Sequence, residues 1–398
     1  MKILVISQHY YPENFRVNDI CETLVKMGHS VTVICGYPNY PEGYIYHDYR
    51  GDNKRKHKEE IINGVKINRC FEIARGHNSL RLFLNYYSVC LSMKRKAKHF
   101  KEQFDCVFVN QTSPVMVGWA GIAYAKKHNV ACYLYCYDLW PTSLAAGGIK
   151  KNSIIYKIFN RVSRNVYKKV DRILVTSKSF IEYLVNTHGI NKKRISYLPQ
   201  YCESLYENIE IKKHDGLNFV FAGNVGKMQS VETIIRAANL VKDRKDITIR
   251  IVGDGSALNQ CKNLADTLQT DNVIFYGRKP IEEMPFFYSL ADAMIVTLSK
   301  DELISKTLPG KVQSYMAAGK PIVAAVDGEA NEIIKEAKCG YCCSANDFES
   351  LASIFSNVNK SELSTFGIAS RSYYTKNFSQ KVFYESLISF FMTSKDSL

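Results

Sequence analysis

Apolar and polar residues alternate along this chain in blocks whose lengths separate strands from helices. Short apolar runs at residues 3–6, 31–35, 104–109, 131–137, 173–176 and 195–199 predict buried strands of a parallel sheet. Between them, residues 18–27, 79–103, 115–128, 154–170 and 179–186 carry apolar side chains at helical spacing; in 18–27, Ile20, Leu24 and Val25 share a face and Gly28 ends the run. The alternation changes character near 198–205 and then starts again. Strands are expected at 218–222, 247–252, 273–276, 293–297 and 321–325, helices at 231–241 and 281–290, and a closing amphipathic helix at 379–391. Strands alternating with amphipathic helices describe an α/β sheet covered on both faces, and the repeat describes two of them in tandem. Residues 37–64, rich in Pro, Gly, Tyr and Lys, are long for a connection and are expected to form a mobile loop.

A chain of 398 residues exceeds one ordinary core, and 46% hydrophobic with 23% charged residues is globular composition. No apolar run approaches the roughly 18 to 20 residues of a membrane span, and residues 1–7 read as the first strand, not as a signal peptide. Of the twelve cysteines, many stand within apolar strands, such as Cys35, Cys106 and Cys132, where a reduced thiol behaves as a small hydrophobe; a cytoplasmic location is expected. Cys339, Cys342 and Cys343 have half of a zinc-site spacing without a second pair, so no metal is expected. Charge is uneven: residues 1–200 carry net +17 and residues 201–398 net −2. The basic half must meet something anionic, whether nucleic acid, an acidic bilayer face or a phosphorylated substrate.

The turn after the first strand reads Ser7-Gln-His-Tyr-Tyr-Pro-Glu13, not Gly-x-Gly-x-x-Gly, which disfavours a dehydrogenase. Three stretches carry candidate chemistry. Pro309 suits the first position of a helix of about three turns that Gly319 and Pro321 close, and Lys311 in its first turn adds a full charge to a helix N-terminus suited to a phosphate or diphosphate. Gly223-Asn224-Val-Gly226-Lys227, between strand and helix, makes a second phosphate-sized cradle. Asp138, delivered at the carboxyl end of a strand just before Trp140, stands where open α/β sheets place their chemistry. The competing readings are a packing helix with a solvated lysine and a buried capping carboxylate.

Two helices join apolar and basic residues. In 79–103, Leu80, Leu82, Phe83, Tyr86 and Tyr87 precede Lys94, Arg95, Lys96, Lys98 and Lys101; 154–170 repeats the mixture. Such helices can lie on an acidic membrane surface, or they can be core-facing helices with a solvated basic end.

Together, the segments 223–229, Gly253-Asp254-Gly255, Gly277-Arg278, 309–321 and Tyr137-Asp-Leu-Trp-Pro141 resemble the retaining glycosyltransferases of family 4, in the branch that builds bacterial surface polysaccharides such as O-antigen and capsule. The resemblance spans nearly the whole chain. It implies the GT-B fold: two doubly wound Rossmann-like domains, 1–200 and 201–378, facing across a cleft, with 379–398 crossing back to the first. It implies transfer of a sugar from a nucleoside-diphosphate sugar, a UDP-sugar foremost and an N-acetylated amino sugar among the candidates, to a lipid-linked or growing glycan. No cofactor or metal is implied. Asp138, Lys227 and Lys311 would be catalytic. Gly223, Asn224, Gly226, Asp254, Arg278, Pro309, Gly310, Gln313 and Ser314 would bind the donor, and Tyr11, Glu13 and Trp140 would stand on the acceptor side. The sequence departs from the family where an arginine is usual, at Asn224, and where two glutamates eight positions apart are usual, at Lys306 and Ser314. A peripheral enzyme on the cytoplasmic face of the membrane is expected. The alternatives are a nucleotide-sugar epimerase or hydrolase on the same fold, which leaves the basic helices unexplained, and a nucleic-acid-binding protein, for which no recognised motif is present; no nucleic-acid partner is expected.

Overall fold

The computed structural model describes residues 1–146, 148–210, 212 and 214–393. The chain divides into two compact units: Met1–Thr176, Phe180–Tyr197 and the residues from Ile388 onward form the first, and Ser177–Ser179 with Leu198–Leu387 form the second.

The first unit holds eight strands: β1 (Lys2–Ser7), β2 (Ser30–Cys35), β3 (Glu59–Ile62), β4 (Val65–Arg69), β5 (Cys106–Gln111), β6 (Ala131–Cys136), β7 (Arg172–Val175) and β8 (Ile195–Tyr197). Their order is β3-β4-β2-β1-β5-β6-β7-β8, parallel throughout except for β3, which pairs antiparallel with β4. Every residue of β5 and β6 is buried, as the unbroken apolar runs require of strands covered on both faces. Strand order reverses at β1, which lies between β2 and β5, so the crevice for chemistry opens beyond Ser7 and Gln111.

The second unit repeats the plan with six parallel strands: β9 (Leu217–Ala222), β10 (Ile247–Val252), β11 (Val273–Gly277), β12 (Ala293–Thr297), β13 (Ile322–Ala325) and β14 (Gly340–Cys343), ordered β11-β10-β9-β12-β13-β14. Its switch point falls between β9 and β12. The last helix, Gln380–Met392, ends against the first sheet. Phe391 packs 5.7 Å from Phe108 and 5.2 Å from Tyr133, whose hydroxyl donates to the Phe390 carbonyl at 2.6 Å.

Several expectations change. Residues 37–64 are not an unstructured connection: Tyr37, Asn39 and Tyr49 are buried, and the stretch contains the edge strand β3. Asn63 (φ 50°) and Gly64 (φ 81°) turn it tightly into β4, a two-residue hairpin whose Asn-Gly signal stands in the sequence. The long basic helix is Ser79–His99 and stops before Phe100. The helix at Pro309 is Gly310–Ala317, eight residues and so about two turns, with Pro309 as its N-cap and not its first residue. It ends where expected, with Ala318 as its C-cap and Gly319 turning left-handed at φ 63°. Helices Leu258–Leu268, Glu329–Ala337, Phe348–Asn357 and Lys360–Asn377 and strand β14 lie in stretches for which the sequence pattern made no assignment.

Candidate functional site

In the second unit the loops that follow β9, β10 and β11 are laced together by backbone hydrogen bonds. Gly223 N–H donates to the Val252 carbonyl at 2.9 Å, Val225 N–H to the Asp254 carbonyl at 2.9 Å, and Gly253 N–H to the Gly277 carbonyl at 2.9 Å. The approach is so close that a Cβ on Gly253 would overlap the Gly223 carbonyl oxygen, and one on Gly255 would stand 2.6 Å from Asn224 Oδ1. Gly223, at φ 139°, and Gly253, at φ 146°, both adopt backbone angles that favour glycine. Glycine at these positions is thus a condition of the loop geometry.

Tyr315 fixes this loop cluster to the helix Gly310–Ala317. Its buried hydroxyl accepts from Ala222 N–H and donates to the Ala222 carbonyl, each at 3.0 Å, and so pins the last residue of β9. Lys311, one turn earlier on that helix, is thereby aimed at the loop. A Cβ on Gly223 would stand 3.3 Å from Lys311 Nζ, and Nζ lies 3.8 Å from the centroid of the Phe221 ring. The stem of Lys311 is partly accessible, but Nζ itself is buried and has no hydrogen-bond partner among the described residues. Burial pushes its pKa down to about 7. An enclosed ammonium with no acceptor is costly, and the fold tolerates one where an anion arrives to pair it.

The other residues expected to bind the donor divide into three groups. Lys227, the first residue of a short 3₁₀ turn, Asn224, Asp254 and Arg278 are exposed. Asn224 Nδ2 donates to Gln229 Oε1 at 3.0 Å, and Asp254 Oδ1 accepts from Gly255 N–H at 2.7 Å. Gly226, Pro309 and Gly310 shape backbone. Gln313 and Ser314 are turned into the fold: Gln313 Nε2 donates to the Gln200 carbonyl at 2.7 Å, and Ser314 Oγ bonds the Tyr288 hydroxyl at 3.1 Å and the Lys311 carbonyl at 3.0 Å. Both are buried and support the helix that carries Lys311.

In the first unit Asp138 stands past the end of β6 and accepts from Ser113 Oγ at 2.9 Å. Ser113 Oγ also accepts from Trp140 Nε1 at 3.0 Å, and the backbone of the turn is held by Gln111 Nε2 donating to the Asp138 carbonyl at 3.0 Å and by His188 Nε2 at 3.0 Å from the Trp140 carbonyl. Desolvation raises the pKa of Asp138 against the opposing hydrogen bond from Ser113. Burial lowers that of His188 to about 4, so its ring is neutral at pH 7 and donates to Trp140. Ser113, Gln111 and His188 escaped the sequence reading because each stands in a short polar stretch at the end of a strand or helix, where nothing in the linear pattern marks which polar side chain turns inward. Ser113, within Asn110-Gln-Thr-Ser-Pro114 after a strand, carried the available signal.

Tyr11 is 40% exposed, and its carbonyl accepts from Arg69 Nη2 at 2.7 Å. Glu13 is buried, and its carboxylate accepts from Asn39 N–H at 2.8 Å, Tyr40 N–H at 2.6 Å and His9 Nδ1 at 2.9 Å. It folds the 37–46 segment onto the sheet. Trp140 is buried against Tyr86 and Phe159. Among the described residues no three His, Cys, Asp or Glu side chains cluster as a metal site, and no helix is long and apolar enough to cross a membrane.

Residues 15–200 match the family model described as Glycosyltransferase Family 4, and residues 205–377 match that described as Glycosyl transferases group 1. The chain is 30% identical over 264 residues to the "Probable glycosyltransferase WbjE" of Pseudomonas aeruginosa, an alignment covering 63% of this chain and 65% of that relative, just under two thirds of its length. It is 21% identical over 339 residues to the "Putative colanic acid biosynthesis glycosyl transferase WcaI" of Escherichia coli K12, covering 80% and 82%. The crystal structure of Anabaena Alr3699/HepE in complex with UDP superimposes with a TM-score of 0.71 at 13% identity, covering 98% of this chain and 99% of that one. Both units are doubly wound, as in the GT-B fold, and a family 4 glycosyltransferase domain in the first half of the chain is followed by a group 1 glycosyltransferase domain in the second.

Proposed function

We propose that this protein transfers a sugar from a nucleoside-diphosphate sugar, a UDP-sugar foremost, to a lipid-linked or growing glycan during surface-polysaccharide synthesis, with retention at the anomeric carbon. One observation carries the donor side: Lys311 Nζ, buried, aimed at the glycine loop after β9 and without a hydrogen-bond partner among the described residues. As the bond from the anomeric carbon to the diphosphate oxygen breaks, negative charge grows on the departing diphosphate. Lys311, the free N–H groups at the start of its helix and the exposed Lys227 supply positive charge there without requiring a metal ion. The acceptor oxygen forms the new bond to the same carbon. Asp138, with its raised pKa and its place at a strand end, accepts a hydrogen bond from that acceptor hydroxyl or steadies the charge developing on the sugar. The names of WbjE and WcaI support the polysaccharide setting, and the UDP complex of HepE supports the nucleotide.

The test is calorimetric titration of UDP, GDP and dTDP and their sugars into wild type and Lys311→Met. UDP binding that falls at least tenfold in the variant is expected, since a charge-assisted phosphate contact contributes about 1.5 to 3 kcal/mol. Equal affinity in the two proteins would remove Lys311 from the donor site. Product analysis separates transfer from the alternative: an epimerase or hydrolase would convert the donor with no acceptor present.

A further inference from the structure

In the first unit the turn after β2 and the segment after β4 are laced together, as the glycine loops of the second unit are. Arg75 N–H donates to Asn39 Oδ1 at 3.1 Å and Gly76 N–H to the Gly43 carbonyl at 2.7 Å, while Asn39, fully buried, gives its own N–H to Glu13 at 2.8 Å. The approach is close: a Cβ on Gly43, at φ 82°, would stand 2.8 Å from His77 Cε1. Because β1, β2 and β4 run parallel, these loops and the one that carries His9 and Phe15 leave the sheet at its carboxyl side, where the crevice opens.

This rim presents aromatic rings and a cation. Tyr40 and Tyr44 are 40% and 50% exposed. The Tyr40 ring is backed by His9 at 5.7 Å and Phe15 at 5.5 Å, and the Arg75 guanidinium rests 5.3 Å from its centroid. Arg75 is half-buried and has no carboxylate partner among the described residues. Arg50, 5.0 Å from the Tyr44 centroid, differs: its Nε donates to the Ile45 carbonyl, and Glu42 accepts from the Tyr44 hydroxyl at 3.4 Å, so acceptors are already at hand. Burial raises the pKa of Tyr86, and Arg75 and Asp138 act on it in opposite senses, which puts both within electrostatic reach of one ring.

A guanidinium stacked on a ring is held in orientation and keeps its N–H fork for a planar anion. Its single charge, without a second cation or a cradle of glycine N–H groups such as surrounds Lys311, matches one carboxylate better than a diphosphate. The exposed tyrosines beside it offer flat apolar area to the C–H face of a sugar and hydroxyls to its rim.

We propose that Arg75 selects an acidic acceptor, taking the carboxylate of a uronic acid residue of the glycan while Tyr40 and Tyr44 receive the sugar faces. This rests on the transfer reading above and adds the charge of the acceptor and the residue that reads it.

The probes are p-nitrophenyl β-D-glucuronide and p-nitrophenyl β-D-glucoside, which differ only in a carboxylate against a hydroxymethyl group, titrated calorimetrically into the full-length protein. The glucuronide should bind about tenfold or more tightly, since a charge-assisted bidentate contact is roughly twice as strong as a neutral one. Arg75→Gln should remove that preference and leave UDP affinity, read separately, unchanged. Arg75→Lys, which keeps the charge and loses the fork, should retain only part of it. Arg50→Gln should leave it in place. Equal affinity of the wild type for the two glycosides, no measurable glucuronide binding, or a preference that survives Arg75→Gln would overturn the proposal. So would glucose 6-phosphate binding more tightly than the glucuronide through Arg75, which makes the anion a phosphate, or anionic vesicles displacing the glucuronide, which makes it a lipid headgroup. A glucuronide preference without UDP binding would keep the acidic-glycan site and remove the transfer reading; UDP binding without that preference would do the reverse.

Discussion

Lys311 Nζ lies 3.8 Å from the centroid of the Phe221 ring and has no hydrogen-bond partner among the described residues. The ring face offers the ammonium some attraction, but not the hydrogen bonds that water would supply. The consequence is pH-dependent nucleotide binding. Burial holds the free-state pKa near 7, so the charged fraction falls as pH rises through 7, whereas a bound diphosphate favours the charged form and raises the pKa in the complex. UDP affinity should therefore fall as pH rises from 7 toward 9, by up to about tenfold per unit until the pKa of the complex is reached. Calorimetry at pH 6.5 to 9 measures the slope. In Lys311→Met the slope should vanish; a slope that persists would assign the titration to another group.

Two glycines at strand ends of the same sheet should respond differently to alanine. Gly253 combines φ 146° with a Cβ position inside the Gly223 carbonyl, whereas Gly277 has φ 67° with nothing within 4 Å of the added atom. Gly277→Ala carries only the cost of the backbone angle, about 1 kcal/mol. Gly253→Ala must also push apart loops that hydrogen bonds hold together, and should cost about 2 to 4 kcal/mol with UDP affinity lost in proportion. Thermal melts and UDP titrations of both variants check the order. Equal destabilisation would mean that the loop after β9 yields freely and is not held rigid for phosphate.

That contrast explains which regions of the molecule were legible in the sequence. Continuous apolar runs located the strands of both sheets except β3, β4 and β14, because parallel strands buried on both faces leave an unbroken signal. The edge hairpin was missed although Asn63-Gly64 marks its turn, since Glu59 to Arg69 is too polar to read as sheet beside a Lys-rich stretch. Lys311 was found from its place in a helix's first turn. Its burial, its lack of a partner and its dependence on Tyr315 were not, because they follow from a side chain four residues on that reaches back to β9. Gln313 and Ser314 lie between these two, and no linear pattern tells an inward polar residue from an outward one on a helix buried nearly all round.

Asp138 depends on Ser113 in a way that kinetics can resolve. Desolvation raises its pKa, and the Ser113 hydroxyl at 2.9 Å opposes that rise. Ser113→Ala should raise the pKa further and shift the acidic limb of the transfer-rate profile to higher pH, leaving UDP affinity unchanged. Asp138→Asn should lower transfer by about 10² or more, the range of general acid–base contributions, again without affecting UDP. If Asp138→Asn instead weakens UDP binding while turnover of bound donor survives, the residue serves the donor and not the acceptor.

The basic face of helix Ser79–His99 makes a prediction about membranes in which its four cations are unequal. Lys96 Nζ is paired with Glu59 at 2.9 Å, and Lys94 Nζ stands 5.8 Å from the Trp119 ring centroid, whereas Arg95 and Lys98 are exposed and have no carboxylate partner among the described residues. Each cation near an anionic leaflet contributes about 1 kcal/mol, but a lysine already neutralised by a carboxylate contributes less. The same helix exposes Leu80, Phe83, Leu84 and Leu91, which can enter the interface beside those charges. Vesicle co-sedimentation should therefore show binding to anionic lipid that weakens as salt shortens the Debye length from about 8 Å at physiological strength, and little binding to neutral lipid. Changing Lys94, Arg95, Lys96 and Lys98 together to Gln should reduce binding about tenfold or more. Arg95→Gln or Lys98→Gln alone should reduce it more than Lys96→Gln. Equal binding to neutral vesicles, or no effect of the quadruple change, would assign this face to solvent.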